Sequence, residues 1–272
     1  MIAKRLTWIL IAVDIDGLDW PVPGPEELEN ARSAVRRRLE DDGAASLALA
    51  RFYDPEGKYG GRTFLDLEPS DPSDITTADL LSVTMLNVAA SPLGVRRLLA
   101  CGTPDDRDRR GVLAALQKVS ATVDITADLP KNVAAFEAAA VFYTQVKAAL
   151  GNNPWVVASK LCASKRAALI PVRDRVVVRE LGLANQDFRS DWLVFRYLLE
   201  DADVLLGLHQ AASRATAEHG TDLSRIPALR LLDTVIWMMR PQPSRGRFMS
   251  ATRQDSVGLV SPKLGAPTPA AR

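Results

Sequence analysis

The chain has 272 residues, and 47% of them are hydrophobic, which is enough to bury the core of one domain. A net charge of +1 argues against a protein that binds nucleic acid mainly through bulk charge, although a local basic stripe can still contact phosphates. Two cysteines and two histidines without paired spacing argue against a structural zinc site, an iron–sulfur cluster and a disulfide framework, so we expect no metal and no cofactor.

Residues 1–25 are predicted to form a separate N-terminal arm. The segment LTWILIAV has the composition of a short strand, and DIDGLDWPVPGP after it is rich in turn residues. The apolar run lacks a small-residue cleavage site, and no stretch approaches the ~20 apolar residues of a membrane span. We therefore expect a cytoplasmic protein with no membrane segment.

Residues 26–240 are predicted to form a mainly α, multi-helix globular domain. Apolar residues at helical spacing predict a core helix over residues 226–239, in which Trp237 adds a large apolar side chain. Thr76 or Thr77 can cap another helix, whereas residues 53–74 have the composition of an irregular surface stretch. Further helices are predicted over residues 26–41, 44–53, 104–118, 131–150, 155–166 and 191–219.

The last segment, residues 241–272, is rich in proline, serine and glycine. Such a composition cannot bury enough apolar area to offset the entropy of ordering the chain. We expect a disordered C-terminal tail.

The segment from Ala158 to Gly182 is basic, with a single acid, Asp174, before Glu180. It begins in a helix that is apolar nearly all round, which is typical of a buried helix, with Lys160 as the only charge in its middle. Pro171 favours extended backbone before Asp174, so the Asp174 carboxylate is placed to cap a helix that starts at Arg175. Capping alone explains an aspartate here, and we prefer it to a catalytic role.

Residues 150–182 resemble the core of the helix-hairpin-helix DNA glycosylase superfamily. The resemblance lies in Leu150, a short turn, Ala158 one turn into a helix, and the pattern P-x-x-D followed by D-x-x-V-x-R. It implies that the turn and the next helix hold a DNA phosphate, and that Asp174 assists cleavage of the glycosidic bond of a flipped base. The nucleic-acid contacts would come from Asn152, Asn153, Lys160, Lys165, Arg166, Arg173, Arg175 and Arg179.

This sequence departs from the glycosylase pattern at the turn. The two hairpin glycines of that superfamily are replaced by Asn152 and Pro154, and the position of its lyase lysine is Val156. Without that lysine no Schiff-base chemistry is available there. Any activity would therefore be monofunctional.

A second resemblance covers residues 48–239. Four segments, RFYDPEGKYGGRTF, ITTADLLSVTMLNV, WVVASKLCASKRAALIPVRDRVV and LRLLDTVIWM, resemble an uncharacterised bacterial family, a domain of unknown function. We call them segments 1 to 4 in chain order. The resemblance implies that all four belong to one domain, and it implies no activity.

Three aspartates, Asp79, Asp174 and Asp233, lie in apolar stretches of these segments, beside basic residues such as Arg173 or Arg230. An unpaired buried carboxylate costs several kcal/mol, so each needs a partner. Asp79, Asp233 and Arg230 are interpreted as structural ion pairs, and a shared cleft of carboxylates and arginines is the alternative.

Two functions follow as hypotheses. The first is DNA binding through residues 152–160 and the basic residues up to Arg179, with catalysis left open. The second is a non-catalytic helical module for a protein partner. One exposed face shared by the basic side chains would favour DNA, and separate ion pairs would favour the module.

Overall fold

A computed structural model describes residues 17–99, 106–183 and 187–240. Residues 1–16 of the predicted arm and the whole predicted tail lie outside this range. The described residues form twelve helices, which confirms the mainly α fold. They are α1 (Pro25–Leu39), α2 (Asp42–Tyr53), α3 (Gly61–Asp66), α4 (Thr77–Thr84), α5 (Pro92–Leu99), α6 (Arg107–Leu116), α7 (Leu129–Leu150), α8 (Trp155–Lys165), α9 (Arg175–Leu181), α10 (Phe188–Glu200), α11 (Ala202–His219) and α12 (Ala228–Met238).

Polar side chains define where several helices begin. Thr76 caps α4 in a capping box, because its hydroxyl accepts from the Asp79 amide while the Asp79 carboxylate accepts from the Thr76 amide. Asp174 caps α9 by accepting from the amides of Val176 and Val177, at 2.9 and 3.0 Å. The predicted cap at Asp174 is confirmed.

The helices differ from the sequence prediction in three places. The single helix expected over residues 191–219 is two helices, because Asp201 adopts extended backbone and caps α11. Helix α5 was not predicted, and the short α3 lies inside the stretch expected to be irregular. In each case the apolar pattern is too short or too continuous to mark the boundary.

The core forms where α2 packs against α11 and α12, and where α7 packs against α6 and α8. Its largest buried side chains include Tyr53, Trp192 and Phe195. By length and composition α7 could cross a membrane, which corrects the expectation that no such stretch exists. Buried residues of α7, among them Phe136 and Phe142, belong to this core.

Two glycines let the loop over residues 54–60 lie close to its neighbours. A Cβ atom at Gly60 would lie 2.6 Å from Met85 Cβ, and one at Gly61 would lie 2.6 Å from the Phe52 carbonyl oxygen. Both distances are too short for any side chain. The loop is thereby held between the end of α2 and the end of α4.

Candidate functional site

A pocket forms where α12, the end of α2, the loop at 54–60, the end of α4 and the junction between α8 and α9 meet. It encloses about 690 Å³ of empty space, including the open solvent at its mouth. Every lining residue belongs to one of segments 1 to 4. These residues are Phe52, Tyr53, Lys58, Tyr59, Gly60, Phe64, Met85, Leu86, Asn87, Lys160, Val172, Asp174, Val177, Arg230, Asp233, Thr234 and Trp237.

Aromatic rings form one wall of the pocket. Phe52, Tyr59 and Trp237 contact one another with ring centroids 6.0 to 6.2 Å apart. All three side chains are half-buried, so part of each ring remains accessible. The Lys58 ammonium lies 4.9 Å from the Tyr59 ring centroid. Trp237, predicted as a core residue, is a wall residue of the pocket.

A buried ion pair between Arg230 and Asp233, 2.7 Å apart on one turn of α12, lines the pocket. Asp233 Oδ2 also accepts from the Val172 amide at 3.1 Å, and Arg230 Nη2 donates to the Ile170 carbonyl at 2.8 Å. Three buried atoms of this pair, Arg230 Nε, Arg230 Nη1 and Asp233 Oδ1, have no hydrogen-bond partner among the described residues. The two residues are 2% and 6% exposed, so bulk water does not compensate for the missing bonds.

Burial raises the pKa of Asp233 to about 7, although Arg230 and the Val172 amide favour the ionised carboxylate. The negative charge of Asp174 raises the Asp233 pKa further. Near neutral pH this carboxyl group therefore exists in both protonation states.

A second buried pair, Lys160 and Asp174, also lines the pocket. Lys160 Nζ lies 3.7 Å from Asp174 Oδ2 and donates to the Leu86 carbonyl at 2.9 Å. Burial lowers the pKa of Lys160, and the neighbouring carboxylate opposes this shift. The Lys160 side chain is only 6% exposed, so this charge lies within the protein and not in open water.

The junction before α9 is fixed from α8. Ser159 Oγ donates to the Pro171 carbonyl at 3.1 Å and accepts from the Arg173 amide at 2.6 Å. This holds Val172 and Asp174 against α12. A serine inside an apolar helix was the only sequence signal for this contact.

The other predicted basic residues lie away from the pocket. Lys165 pairs with Asp79 at 2.6 Å, and Arg173 pairs with Asp191 and stacks over Trp155. Arg166 donates to backbone carbonyls, including Val119 at 2.9 Å and Pro72 at 3.1 Å. Like Lys160, these three cations are buried.

The remaining predicted nucleic-acid residues are exposed. Arg175 and Arg179 lie on α9, and Asn152 and Asn153 form the turn before α8 with φ angles of 49° and 50°. A single exposed face shared by Lys160, Lys165, Arg166, Arg173 and Arg175 is therefore not formed, because the first four are enclosed in separate contacts.

The aspartates singled out in the sequence separate into two groups. Asp174 and Asp233 meet at the pocket with Arg230, whereas Asp79 contacts Lys165 elsewhere. The aromatic wall was not predicted as a site. Phe52 and Tyr59 come from segment 1, and Trp237 comes from segment 4. The only sequence signal near this wall was the tyrosine followed by two glycines at residues 59–61, which indicated an ordered loop.

These features define a helical domain with one polar and one aromatic side to its pocket. The chain belongs to DUF6308, a family of unknown function, which matches residues 45–240. That range includes all four segments, and it confirms the resemblance noted over residues 48–239. No curated protein and no solved structure matches the chain significantly. The helix-hairpin-helix glycosylase resemblance gains no support from these comparisons.

Proposed function

We propose that this domain binds a small organic molecule in the pocket. A flat or apolar part of the ligand packs against Phe52, Tyr59 and Trp237, and a polar part reaches Arg230 and Asp233. The observation that carries the proposal is the buried pair on α12, which lines the pocket and retains donors and an acceptor without partners within residues 17–240.

The energetic reason is the cost of an unmet buried hydrogen bond. Each buried polar group without a partner costs about 1–3 kcal/mol. A ligand or ordered water that supplies the missing bonds recovers this free energy. Ligand pockets commonly combine apolar walls with a few polar groups and a shifted pKa, the combination found here.

DNA binding has less support than small-molecule binding. Four of the cations assigned to DNA are buried in contacts within the protein, so they cannot release counterions from phosphates. The protein-interaction module has no specific observation in its favour. Catalysis by Asp174 and a cytoplasmic location stay predictions.

The test follows the indole N–H signals of the tryptophans by NMR during titration with a set of aromatic fragments, including nucleosides. Trp237→Phe assigns the pocket signal. We expect some fragments to shift the Trp237 signal and to leave the Trp192 signal unmoved, because Trp192 is 2% exposed and lies in the core.

Two results would overturn the proposal. One is a fragment set that never shifts the Trp237 signal. The other is salt-dependent binding of duplex DNA that weakens in Arg175→Ser and Arg179→Ser proteins, which would restore the DNA hypothesis. Base release from lesion-containing duplexes by wild type, lost in Asp174→Asn, would assign catalysis to Asp174.

A further inference from the structure

The charges that line the pocket narrow the class of ligand, and this step rests on the function proposed above. We infer that the polar part of the ligand is an uncharged, amide-like edge, in which a hydrogen-bond acceptor lies beside a donor. Carboxamides, lactams and nucleobases carry such an edge.

The buried charges that line the pocket are balanced. The two buried cations that line the pocket are each paired with a carboxylate, Arg230 with Asp233 at 2.7 Å and Lys160 with Asp174 at 3.7 Å. Lys58 adds one positive charge, but it is exposed to water and lies beside Tyr59. Where Asp233 is ionised, a charged ligand would bring an uncompensated charge into this buried region, which is unfavourable.

The ion pair on α12 also has unused hydrogen-bonding atoms of both kinds. Within the described ranges, Arg230 Nε and Nη1 remain as donors and Asp233 Oδ1 remains as an acceptor. The two side chains are already joined through Arg230 Nη2 and Asp233 Oδ2. The Arg230–Asp233 ion pair therefore carries both unused donors and an unused acceptor.

Only some ligand groups satisfy both kinds of atom. With Asp233 ionised, a carboxylate ligand offers acceptors alone, so it would bond to Arg230 and leave Asp233 Oδ1 without a donor. An ammonium or amidinium offers donors alone, so it would bond to Asp233 and leave the Arg230 donors without an acceptor. An amide edge offers one acceptor and one donor.

The aromatic wall favours a flat ligand. Rings that are partly exposed favour a flat molecule that packs against them, and Phe52, Tyr59 and Trp237 line the same pocket as Arg230 and Asp233. A planar ring with an amide-like edge can place its face on the aromatic side and its edge at the ion pair.

The test uses three probes of nearly equal shape, namely benzamide, benzoate and benzamidine. They are neutral, anionic and cationic, and the titration is followed by the Trp237 indole signal at about pH 8, where Asp233 is mostly ionised. We expect benzamide to bind the wild-type protein at least about tenfold more tightly than either ion.

Substitution of Asp233 should change this preference. Asp233→Asn leaves the Arg230 charge unbalanced, so the preferred probe should become benzoate. Arg230→Gln removes the cation that favours the ionised Asp233 carboxylate, so the Asp233 pKa rises further, the carboxyl group is mostly protonated and neutral, and benzamide should stay preferred. The matched control is Asp187→Asn, because Asp187 pairs with Arg189 and does not line the pocket. That variant should keep the preference for benzamide.

The wild-type ranking decides the inference even if a variant fails to fold. Tighter binding of benzoate or benzamidine by wild type would overturn the amide-like edge and leave small-molecule binding standing. The amide-like edge is also overturned, with small-molecule binding left standing, if other aromatic fragments shift the Trp237 signal and none of the three probes does. If no aromatic molecule shifts that signal, the proposed function fails and the inference fails with it.

Discussion

Asp233 makes the stability of the protein depend on pH. Its pKa is raised to about 7 by burial, against about 3.9 in an unfolded chain. Between these values the folded state binds more protons than the unfolded state. The contribution of Asp233 to stability is therefore fully present below about pH 4 and is lost as the pH rises through about 7.

The comparison that isolates this effect is wild type against Asp233→Asn, in urea unfolding at several pH values from about 5 to 8. From pH 5 to 7 the wild type should lose up to about 1.4 kcal/mol per pH unit relative to the variant. Other buried acids, such as Asp191, titrate in both proteins and cancel. If the free energies of unfolding of the two proteins change with pH in parallel, the Asp233 pKa is not raised.

Asp174 combines a helix cap with a buried ion pair. Asp174→Ala should lose about 1 kcal/mol for the cap, and about 1–3 kcal/mol more because Lys160 is left buried without its carboxylate. Asp174→Asn keeps a capping oxygen and should lose only the charge. Chemical unfolding measures both losses.

Asp41→Ala is the matched control for Asp174→Ala. Asp41 caps α2 by accepting from the Ala44 amide at 2.9 Å, and its side chain is exposed. This substitution should cost the cap alone. Equal losses at Asp41 and Asp174 would mean that the pair with Lys160 contributes nothing.

At the scale of elements, the loop over residues 54–60 depends on Gly61. A Cβ atom there meets the backbone of Phe52 at the end of α2, which cannot move cheaply. Gly61→Ala should therefore destabilise the protein by about 1–3 kcal/mol in chemical unfolding.

Gly43→Ala tests the same chemical change without the clash. Gly43 lies near the start of α2, and a Cβ atom there would make an ordinary contact of 3.5 Å with Asp41. This variant should be neutral or more stable by up to about 1 kcal/mol. A neutral Gly61→Ala would mean that the loop is not held tightly against α2.

Helix α12 carries both the pair at Arg230 and the wall at Trp237. Trp192→Ala removes a fully buried ring and should cost about 3–5 kcal/mol. Trp237 is half-buried, so Trp237→Ala should cost about 1–2 kcal/mol in the same unfolding experiment. If Trp237→Ala loses as much free energy of unfolding as Trp192→Ala, then Trp237 is a core residue, as its spacing in the sequence predicted.

Local features of these elements were predictable, and contacts between distant elements were not. The cap at Asp174 follows from Pro171 upstream and a helical pattern downstream. Asp233 lies three residues after Arg230, a spacing that places both on one helical face. In contrast, the Lys160 ammonium donates to the Leu86 carbonyl, which lies in the turn after α4. The apolar pattern of a helix predicts that the helix is buried, but it does not predict which carbonyl will accept from the one lysine in it.

The aromatic wall illustrates the same limit. Tyr59 and Trp237 lie at opposite ends of the family match, and their contact depends on how α2 and α12 pack. Trp237 has the spacing of a core residue and is large and apolar, so the sequence favoured full burial. Only the tertiary arrangement, with the loop at 54–60 beside it, leaves part of the ring accessible.

For the whole molecule, the sequence predicts that residues 242–272 are dispensable for folding. The DUF6308 match ends at residue 240, and the segment after it lacks apolar periodicity. A chain that ends after Arg240 should unfold cooperatively within about 2 °C of the full chain, a shift that corresponds to less than about 1 kcal/mol. A displacement of many degrees in the thermal transition would show that the tail packs on the domain.

All four segments contribute to the pocket, so a bound molecule keeps its contacts only while the four remain together. Its binding free energy then opposes unfolding of the whole domain, by about 2.7 kcal/mol at a concentration one hundred times Kd. A protease that cuts only after global unfolding would be slowed about a hundredfold at every such site, however far from the pocket. Cuts at frayed ends would keep their rate. Protection from digestion could thus reveal the natural ligand in a mixture of metabolites before its chemistry is known.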